Sequence, residues 1–294
     1  MTRSSTKKTD KKESTVSFYS KERIECPVCT TVFQREEMHS GGGRTIAGDL
    51  TDELRRTYET SAKYGEVFPP IYHVVVCPTC LYATFLQDFR NIERGIVTKL
   101  SSTTSQRRTS VERLIPQVDF SALRTLSSGA AAYYLAILCY DFFDKKYSPT
   151  IKQGICALRA AWLFSDLEKK DPNEHYDYIR NLLYQKALFF YRKAIECEST
   201  GEEIIAGLKS FGPDTDKNYG YDGVLYLSYL LEYKYGTKRD RAIRRERMQR
   251  NKQRLAKIFG LGKSSKEKPG PLLELARQLY ENLLAELHED SETT

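Results

Sequence analysis

Two pairs of cysteines carry the clearest chemistry in this sequence. They are Cys26 and Cys29 in a Cys-Pro-Val-Cys run, and Cys77 and Cys80 in a Cys-Pro-Thr-Cys run. A Cys-Pro-x-Cys turn directs two thiolates to one point, and two such turns form a tetrahedral four-sulfur site, the geometry that Zn2+ prefers. Four sulfur ligands leave no coordination position open for water or substrate. The pattern therefore predicts a structural zinc ion and not a catalytic one.

Other uses of the cysteines stay open at this point: iron in the same cage, disulfides, or a redox-active pair. A thioredoxin-like Cys-x-x-Cys lies beside a β-α-β pattern, and no such alternation surrounds either pair. His39 and His73 lie between the pairs and are candidate substitutes for a cysteine ligand. The other cysteines fall in apolar helical patterns, which predicts burial as small hydrophobic side chains. They are Cys139, Cys156 and Cys197.

The residues around the two pairs must fold so that the pairs meet. Between them we predict a short helix over 49–64 and a strand over 71–76 that leads into the second pair. A helix is predicted for 83–100, and the polar run 101–110 is predicted to be a linker at a domain boundary. The resulting organisation is a disordered tail over 1–17, a zinc-ribbon-like four-cysteine module with a helical insert over 18–105, and a helical domain over 111–294.

The second part of the chain is predicted to be helix packed on helix, so the fold class is mainly α. Helices are expected over 129–147, from Pro149, from Pro172, and over 221–235, 239–259 and 271–289. Small and aromatic residues at Ala187, Tyr191 and Ala194 fit the second helix of a tetratricopeptide repeat. The spacing of the looser copies is irregular. We therefore predict tetratricopeptide-like helical hairpins, with a generic helical bundle as the alternative.

The stretch 64–89, YGEVFPPIYHVVVCPTCLYATFLQDF, together with the earlier CPVC run, resembles a bacterial family of domains of unknown function. Members of that family carry paired CPxC motifs, the second of the CPxCGYAA type, followed by tetratricopeptide-like helices. The resemblance implies a metal-binding ribbon with a helical tail and no established activity. Thr30 and Leu81 stand where glycine is usual in that family. A non-glycine residue in a left-handed turn costs about 1–2 kcal/mol, so strained turns are expected.

Positive charge is concentrated in one segment. The chain of 294 residues has a net charge of +7, yet 234–268 alone holds fourteen lysines and arginines against three acidic residues. Within it, a basic helix over 238–259 is predicted to present arginines to solvent, where they could bind an acidic protein partner, an anionic membrane surface or nucleic acid. A purely solvated helix face is the other interpretation. The candidate partner-binding residues are Arg239, Arg244, Arg245, Arg247, Arg250 and Arg254.

Several classes of function find no support in the sequence. It contains no zinc-protease, serine-hydrolase, dinucleotide-binding or kinase motif. The longest apolar run, residues 130–140, is too short to cross a bilayer, which takes about 20 residues, and a cytoplasmic location is expected. The favoured function is a non-enzymatic, zinc-stabilised protein-interaction or scaffold module whose helices over 129–197 hold a partner segment. The alternative is nucleic-acid binding through the zinc module and the basic helix. The oligomeric state is left open.

Overall fold

The computed structural model describes residues 15–205, 219–260 and 268–292. Most of the predicted tail, over 1–17, lies outside these ranges. The N-terminal part contains three antiparallel hairpins, each a two-stranded sheet of its own. Their strands are β1 (Ser17–Glu25), β2 (Val32–Met38), β3 (Ile46–Leu50), β4 (Arg56–Glu59), β5 (Val74–Val76) and β6 (Ala83–Phe85).

Helices follow along the rest of the described chain, so the mainly α prediction is confirmed. They are α1 (Leu86–Phe89), α2 (Arg94–Ser102), α3 (Thr104–Leu114), α4 (Leu126–Tyr140), α5 (Pro149–Lys170), α6 (Tyr176–Thr200), α7 (Gly220–Tyr235), α8 (Arg241–Phe259) and α9 (Gly270–Glu292). Short 3-10 turns occupy Pro69–Tyr72, Lys145–Tyr147 and Pro172–Glu174. None of the described helices combines the length and the apolar character needed to cross a membrane.

The helix predicted for 49–64 is wrong, because this segment forms the β3–β4 hairpin. The tip of the hairpin turns at Leu54, whose backbone is left-handed with φ of 58°, and whose side chain is fully buried. Beside it, the buried Glu53 carboxylate accepts hydrogen bonds from Trp162 Nε1 on α5 and from Tyr184 Oη on α6. Lys234 on α7 approaches the same carboxylate. These tertiary contacts outweigh the helical propensity of the segment.

Three further local predictions need correction. The helix predicted for 83–100 is divided into β6, α1 and α2, and the strand predicted for 71–76 is confined to the three buried residues of β5. The predicted linker at 101–110 is wrong, since it comprises the end of α2 and the first seven residues of α3. Its serines and threonines suggested a loop, but Arg107 and Val111 are buried one helical turn apart and attach the helix to the protein.

α5 is the central helix, with α4 packed against one side and α6 against the other. Its first helical residue is Pro149, as predicted, and every residue from there to Phe164 is buried. A methyl group placed on Gly154 of α5 would stand 3.0 Å from the Tyr191 ring of α6, so the glycine lets the ring approach closely. Ala187 and Ala194 are buried on the same face. This small-against-large packing fits both tetratricopeptide-like hairpins and the generic helical bundle, so the repeat assignment stays a prediction.

The N-terminal hairpins and the helices share one hydrophobic core. α4 packs against the Pro69–Tyr72 turn, β5 and β6, and a methyl group placed on its Gly129 would stand 2.5 Å from the Ile71 side chain. Cys139, Cys156 and Cys197 are buried, as predicted. The ends of the two cysteine runs are therefore held against the helical array. Independent folding of 18–105 and 111–294 stays a prediction.

Candidate metal centre

The four cysteine sulfurs lie together, although 47 residues separate the two runs in the sequence. Cys26 Sγ is 3.6 Å from Cys80 Sγ, and Cys29 Sγ is 3.5 Å from Cys77 Sγ. All four sulfurs are within 4.8 Å of one another. A tetrahedral ion with metal–sulfur bonds of about 2.3 Å needs sulfur–sulfur distances of about 3.8 Å. The cluster could therefore hold one metal ion with little movement.

The two turns that present the sulfurs have the same backbone pattern. In the first, Thr30 N donates to Cys26 O at 2.9 Å and Cys26 N donates to Thr31 O at 2.9 Å. In the second, Leu81 N donates to Cys77 O at 3.0 Å and Cys77 N donates to Tyr82 O at 2.9 Å. Each turn lies at one end of a hairpin, between β1 and β2 or between β5 and β6. The site is thus two equivalent loops facing each other.

The expected strain is present in both turns. Thr30 has φ of 60° and Leu81 has φ of 57°, both in the left-handed region that favours glycine. Their surroundings differ, since Thr30 is exposed whereas Leu81 is buried. Thr30 Oγ1 donates to Cys29 O at 2.7 Å. The two positions therefore carry the same backbone strain with very different side-chain contacts.

Backbone N–H groups also favour charge on the sulfurs. Those of Val28 and Cys29 interact with Cys26 Sγ, and those of Thr79 and Cys80 interact with Cys77 Sγ, and in each case they lower the thiol pKa. The strongest influence is the other sulfurs. Hydrogen bonds from Cys26 and Cys80 lower the pKa of Cys77 to about 2, whereas the hydrogen bond to Cys77 raises the pKa of Cys26 to about 12.

Without a cation the cluster therefore holds thiolate and thiol side by side. The pKa of Cys80 is raised as well, by the same sulfur neighbours and by burial. A divalent ion would displace the retained protons, because only thiolates act as metal ligands. The donor set fits a cation that prefers sulfur.

Two arginines of α3 contact the second turn from outside. Arg107 is only 2% exposed, and its Nη2 donates to Cys80 O at 2.9 Å while its Nη1 donates to Thr103 Oγ1 at 2.7 Å. Arg108 Nη2 donates to Thr79 O at 2.8 Å. Among the described residues no carboxylate forms an ion pair with Arg107. A buried cation needs a compensating anion, and four thiolates around a divalent ion carry two negative charges in excess.

Sequence reasoning missed both arginines, because they lie in the run that was predicted to be a linker. The sequence shows only two adjacent arginines in a polar segment, 27 and 28 positions after Cys80, and this pattern does not indicate what they contact. The two histidines are not in the cluster. His39 stacks on Phe18, and His73 lies 3.4 Å from Tyr133 Oη and 3.2 Å from Arg159 Nη1 through its Nδ1.

The candidate partner-binding arginines of the basic helix separate into two groups. Arg244 is buried, contrary to the prediction that it faces outward, because its guanidinium is bound by Glu286 of α9, with Nη2 and Oε2 3.0 Å apart. Arg247 donates to Glu232 of α7 at 3.1 Å. The exposed members are Arg239, Arg245, Arg250 and Arg254, of which Arg250 pairs with Glu246 on its own helix.

Fold and site together define a class of protein: a helical array joined to N-terminal hairpins that meet at a four-cysteine centre. The chain belongs to a bacterial family described as "Uncharacterized protein conserved in bacteria (DUF2225)", whose model matches residues 19–283. This confirms the predicted family type. A protein of Borreliella burgdorferi named "Uncharacterized protein" is 43% identical over 272 residues, which cover 92% of this chain and 98% of the relative. No solved structure matches the chain.

Proposed function

We propose that this protein is a non-enzymatic interaction module whose N-terminal part is stabilised by a structural zinc ion. Zinc is supported by the four sulfur donors and their near-tetrahedral spacing, and the part of the chain that the structure describes adds no other ligand type to the cluster. The role is structural because the four cysteines fill the coordination sphere of the ion. The ion would join the β1–β2 turn to the β5–β6 turn across the shared core.

Metal analysis of the purified protein tests the zinc assignment. We expect one zinc per chain in the wild type and in the control Cys197→Ala, and a reduced content in Cys29→Ser. An iron centre of the same ligand set would be recognised by its visible absorption. Equal metal content in Cys29→Ser and the wild type would contradict the assignment, as would iron in place of zinc.

The observation that carries the interaction role is an apolar stripe on the outer face of α6. It consists of Tyr178, Leu182 and Phe189, whose side chains are 65%, 47% and 62% exposed. These residues are spaced by four and seven positions, so they lie on one side of the helix. Large apolar side chains that are exposed together on one helix face are typical of interaction sites, and the exposed Gln185 lies between Leu182 and Phe189 on this face. We define Tyr178, Leu182 and Phe189 as the α6 stripe.

The surroundings of the α6 stripe indicate the chemistry of its partner. Lys186 is exposed on the same helix and Lys238 borders a cleft of about 310 Å3 beside Leu182, and neither lysine forms an ion pair with a described residue. Apolar residues within a basic rim favour an acidic amphipathic segment, which would place its apolar side on the stripe. This face narrows the predicted contact region 129–197 to α6, because α4 and α5 are largely enclosed.

A capture experiment from native cells tests the interaction role. The full chain is compared with Phe189→Asp and with the control Leu123→Asp, which changes an exposed apolar residue elsewhere. We expect an acidic protein to be captured by the wild type and the control, to be lost with Phe189→Asp, and to remain bound as salt rises. Capture that is independent of Phe189 would refute the role of the stripe.

Nucleic-acid binding is the weaker alternative. Arg244 and Arg247 are held by Glu286 and Glu232, so fewer free cations face solvent on α8 than the sequence suggests. Binding through phosphates would weaken steeply with rising salt. A salt titration with single-stranded and duplex oligonucleotides therefore separates this alternative from capture on the apolar stripe.

A further inference from the structure

A small cationic cleft lies between α6, α7 and α8, away from the cysteine cluster. Its volume is about 200 Å3. Four arginines line it, one from α6 and three from α8: Arg192, Arg247, Arg250 and Arg254. The volume is below the 300–1,000 Å3 that is typical of pockets for drug-sized ligands. The cleft therefore suits a compact charged group and not a whole cofactor.

The charges of the lining favour an anion. Two glutamates, Glu196 and Glu232, stand against the four arginines. Glu232 is buried and receives Arg192 Nη1 at 3.4 Å and Arg247 Nη1 at 3.1 Å. It fixes the guanidinium groups of two different helices on one carboxylate. Arg250 pairs with Glu246 and Lys193 pairs with Glu196 at the rim, and with both pairs included two positive charges remain in excess. Arg254 forms no ion pair with any acid in the described part of the chain.

The lining of the cleft also contains neutral polar groups. Asn251 is 8% exposed and Ser228 is 4% exposed, and both line the cleft. A side-chain amide and a hydroxyl can each donate a hydrogen bond to an oxygen of an anion. The cleft therefore offers neutral donors beside its arginines.

We propose that this cleft binds a phosphoryl group, as inorganic phosphate or as the phosphate of a monoester. A dianionic phosphate matches the excess of two positive charges, whereas a carboxylate would leave one uncompensated. Its tetrahedral oxygens can accept from several directions at once, as donors on α6, α7 and α8 require. Arginine forks are the side chains best suited to such oxygens. The proposal does not depend on the interaction role of the α6 stripe.

Calorimetric titration of the full-length, zinc-loaded protein tests the proposal, with inorganic phosphate, phosphoserine and acetate as separate probes. We expect saturable one-to-one binding of phosphate or phosphoserine and much weaker binding of acetate. A tighter fit for phosphoserine assigns the site to a monoester, and a tighter fit for inorganic phosphate assigns it to the free ion. Absence of saturable binding of both phosphates would overturn the proposal, and so would acetate that binds equally well.

Matched variants locate the binding. Arg254→Gln, which removes one charged donor, is expected to weaken phosphate binding by about 10- to 100-fold, as loss of a hydrogen bond to a charged group implies. Arg245→Gln removes the same charge from an exposed position of α8 outside the cleft and should change affinity less than twofold. If Arg254→Gln does not fold, the exposed Arg250→Gln takes its place. Equal weakening by the cleft variant and the control would show diffuse attraction and refute the site.

Discussion

Replacing Thr30 by glycine is expected to stabilise the metal-loaded protein. The left-handed backbone at this residue costs an L-amino acid about 1–2 kcal/mol, and glycine adopts it freely. Against this, the greater conformational freedom of glycine stabilises the unfolded chain by about 0.4–1 kcal/mol. The Thr30 side chain is exposed and gives up only its bond to Cys29 O. The difference is a gain of about 0–1.6 kcal/mol in the free energy of unfolding, centred near 0.8 kcal/mol.

Leu81→Gly is the matched comparison, because Leu81 occupies the equivalent place in the second turn with nearly the same φ. Its side chain is only 4% exposed. Removing a buried leucine side chain costs about 2–5 kcal/mol, which exceeds the relief of backbone strain. The same substitution in the same backbone conformation is therefore expected to stabilise one turn and destabilise the other.

Chemical denaturation in a zinc-buffered solution measures both effects. The midpoint denaturant concentration should rise for Thr30→Gly and fall for Leu81→Gly, with the slope unchanged. Zinc competition with a chelator provides a second reading, since strain in a ligand turn lowers affinity for the ion. The reasoning is refuted if Thr30→Gly lowers the midpoint, or if both variants change it in the same direction by the same amount.

Three further predictions follow from contacts described above. Arg107→Met should weaken zinc binding by about 10- to 100-fold in chelator competition, as loss of a contact outside the ligands does. Arg108→Met should weaken it less. Equal small effects of the two variants would contradict the argument that the buried Arg107 cation is compensated by the negative thiolate cluster. Gly129→Ala should lower the free energy of unfolding by about 1–3 kcal/mol, because the added methyl group overpacks against Ile71. The control Gly95→Ala, in open space on α2, should not lower it. A neutral Gly129→Ala would contradict the close contact with Ile71. Burial and the nearby Arg159 lower the pKa of His73 from 6.5 to about 3. Between these two pH values the unfolded chain binds the proton more readily than the folded protein does. Stability therefore falls as the pH drops from about 6.5 toward 3. Denaturation at several pH values measures the free energy of unfolding of the wild type and of His73→Gln. The wild type should lose up to about 1.4 kcal/mol more per pH unit than the variant. Parallel pH dependences of the two proteins would disprove the prediction.

The site was predictable from sequence because its chemistry is local. Each Cys-Pro-x-Cys run carries its own turn geometry, and the preference of sulfur for soft cations requires no knowledge of the rest of the fold. The same is true of Pro149, which marks the start of α5 by the fixed shape of its ring. Such signals act within a few residues, and the structure contains the turns and the helix start that they predict.

The remaining elements depend on contacts that are distant in the chain. Nothing within 49–64 indicates that Glu53 will meet Trp162 and Tyr184, so the helical pattern of that segment is misleading. Arg107 could be recognised only once Cys80 was known to lie beside it. Arg244 is similar, since its burial depends on Glu286, 42 positions later. A sequence pattern indicates the periodicity of a helix or strand. It does not indicate which charged residues form ion pairs or hydrogen bonds with residues distant in the chain.

The β3–β4 tip has a practical consequence for anyone dividing this protein. It fills the space between α5, α6 and α7, and a fragment starting at residue 111 would lack it. Such a fragment would present the indole of Trp162 and the phenol of Tyr184 to water. Peptides and detergents would adhere to that opening, although the intact protein offers no such opening there. Affinities measured on the helices alone would then describe the truncation and not the protein.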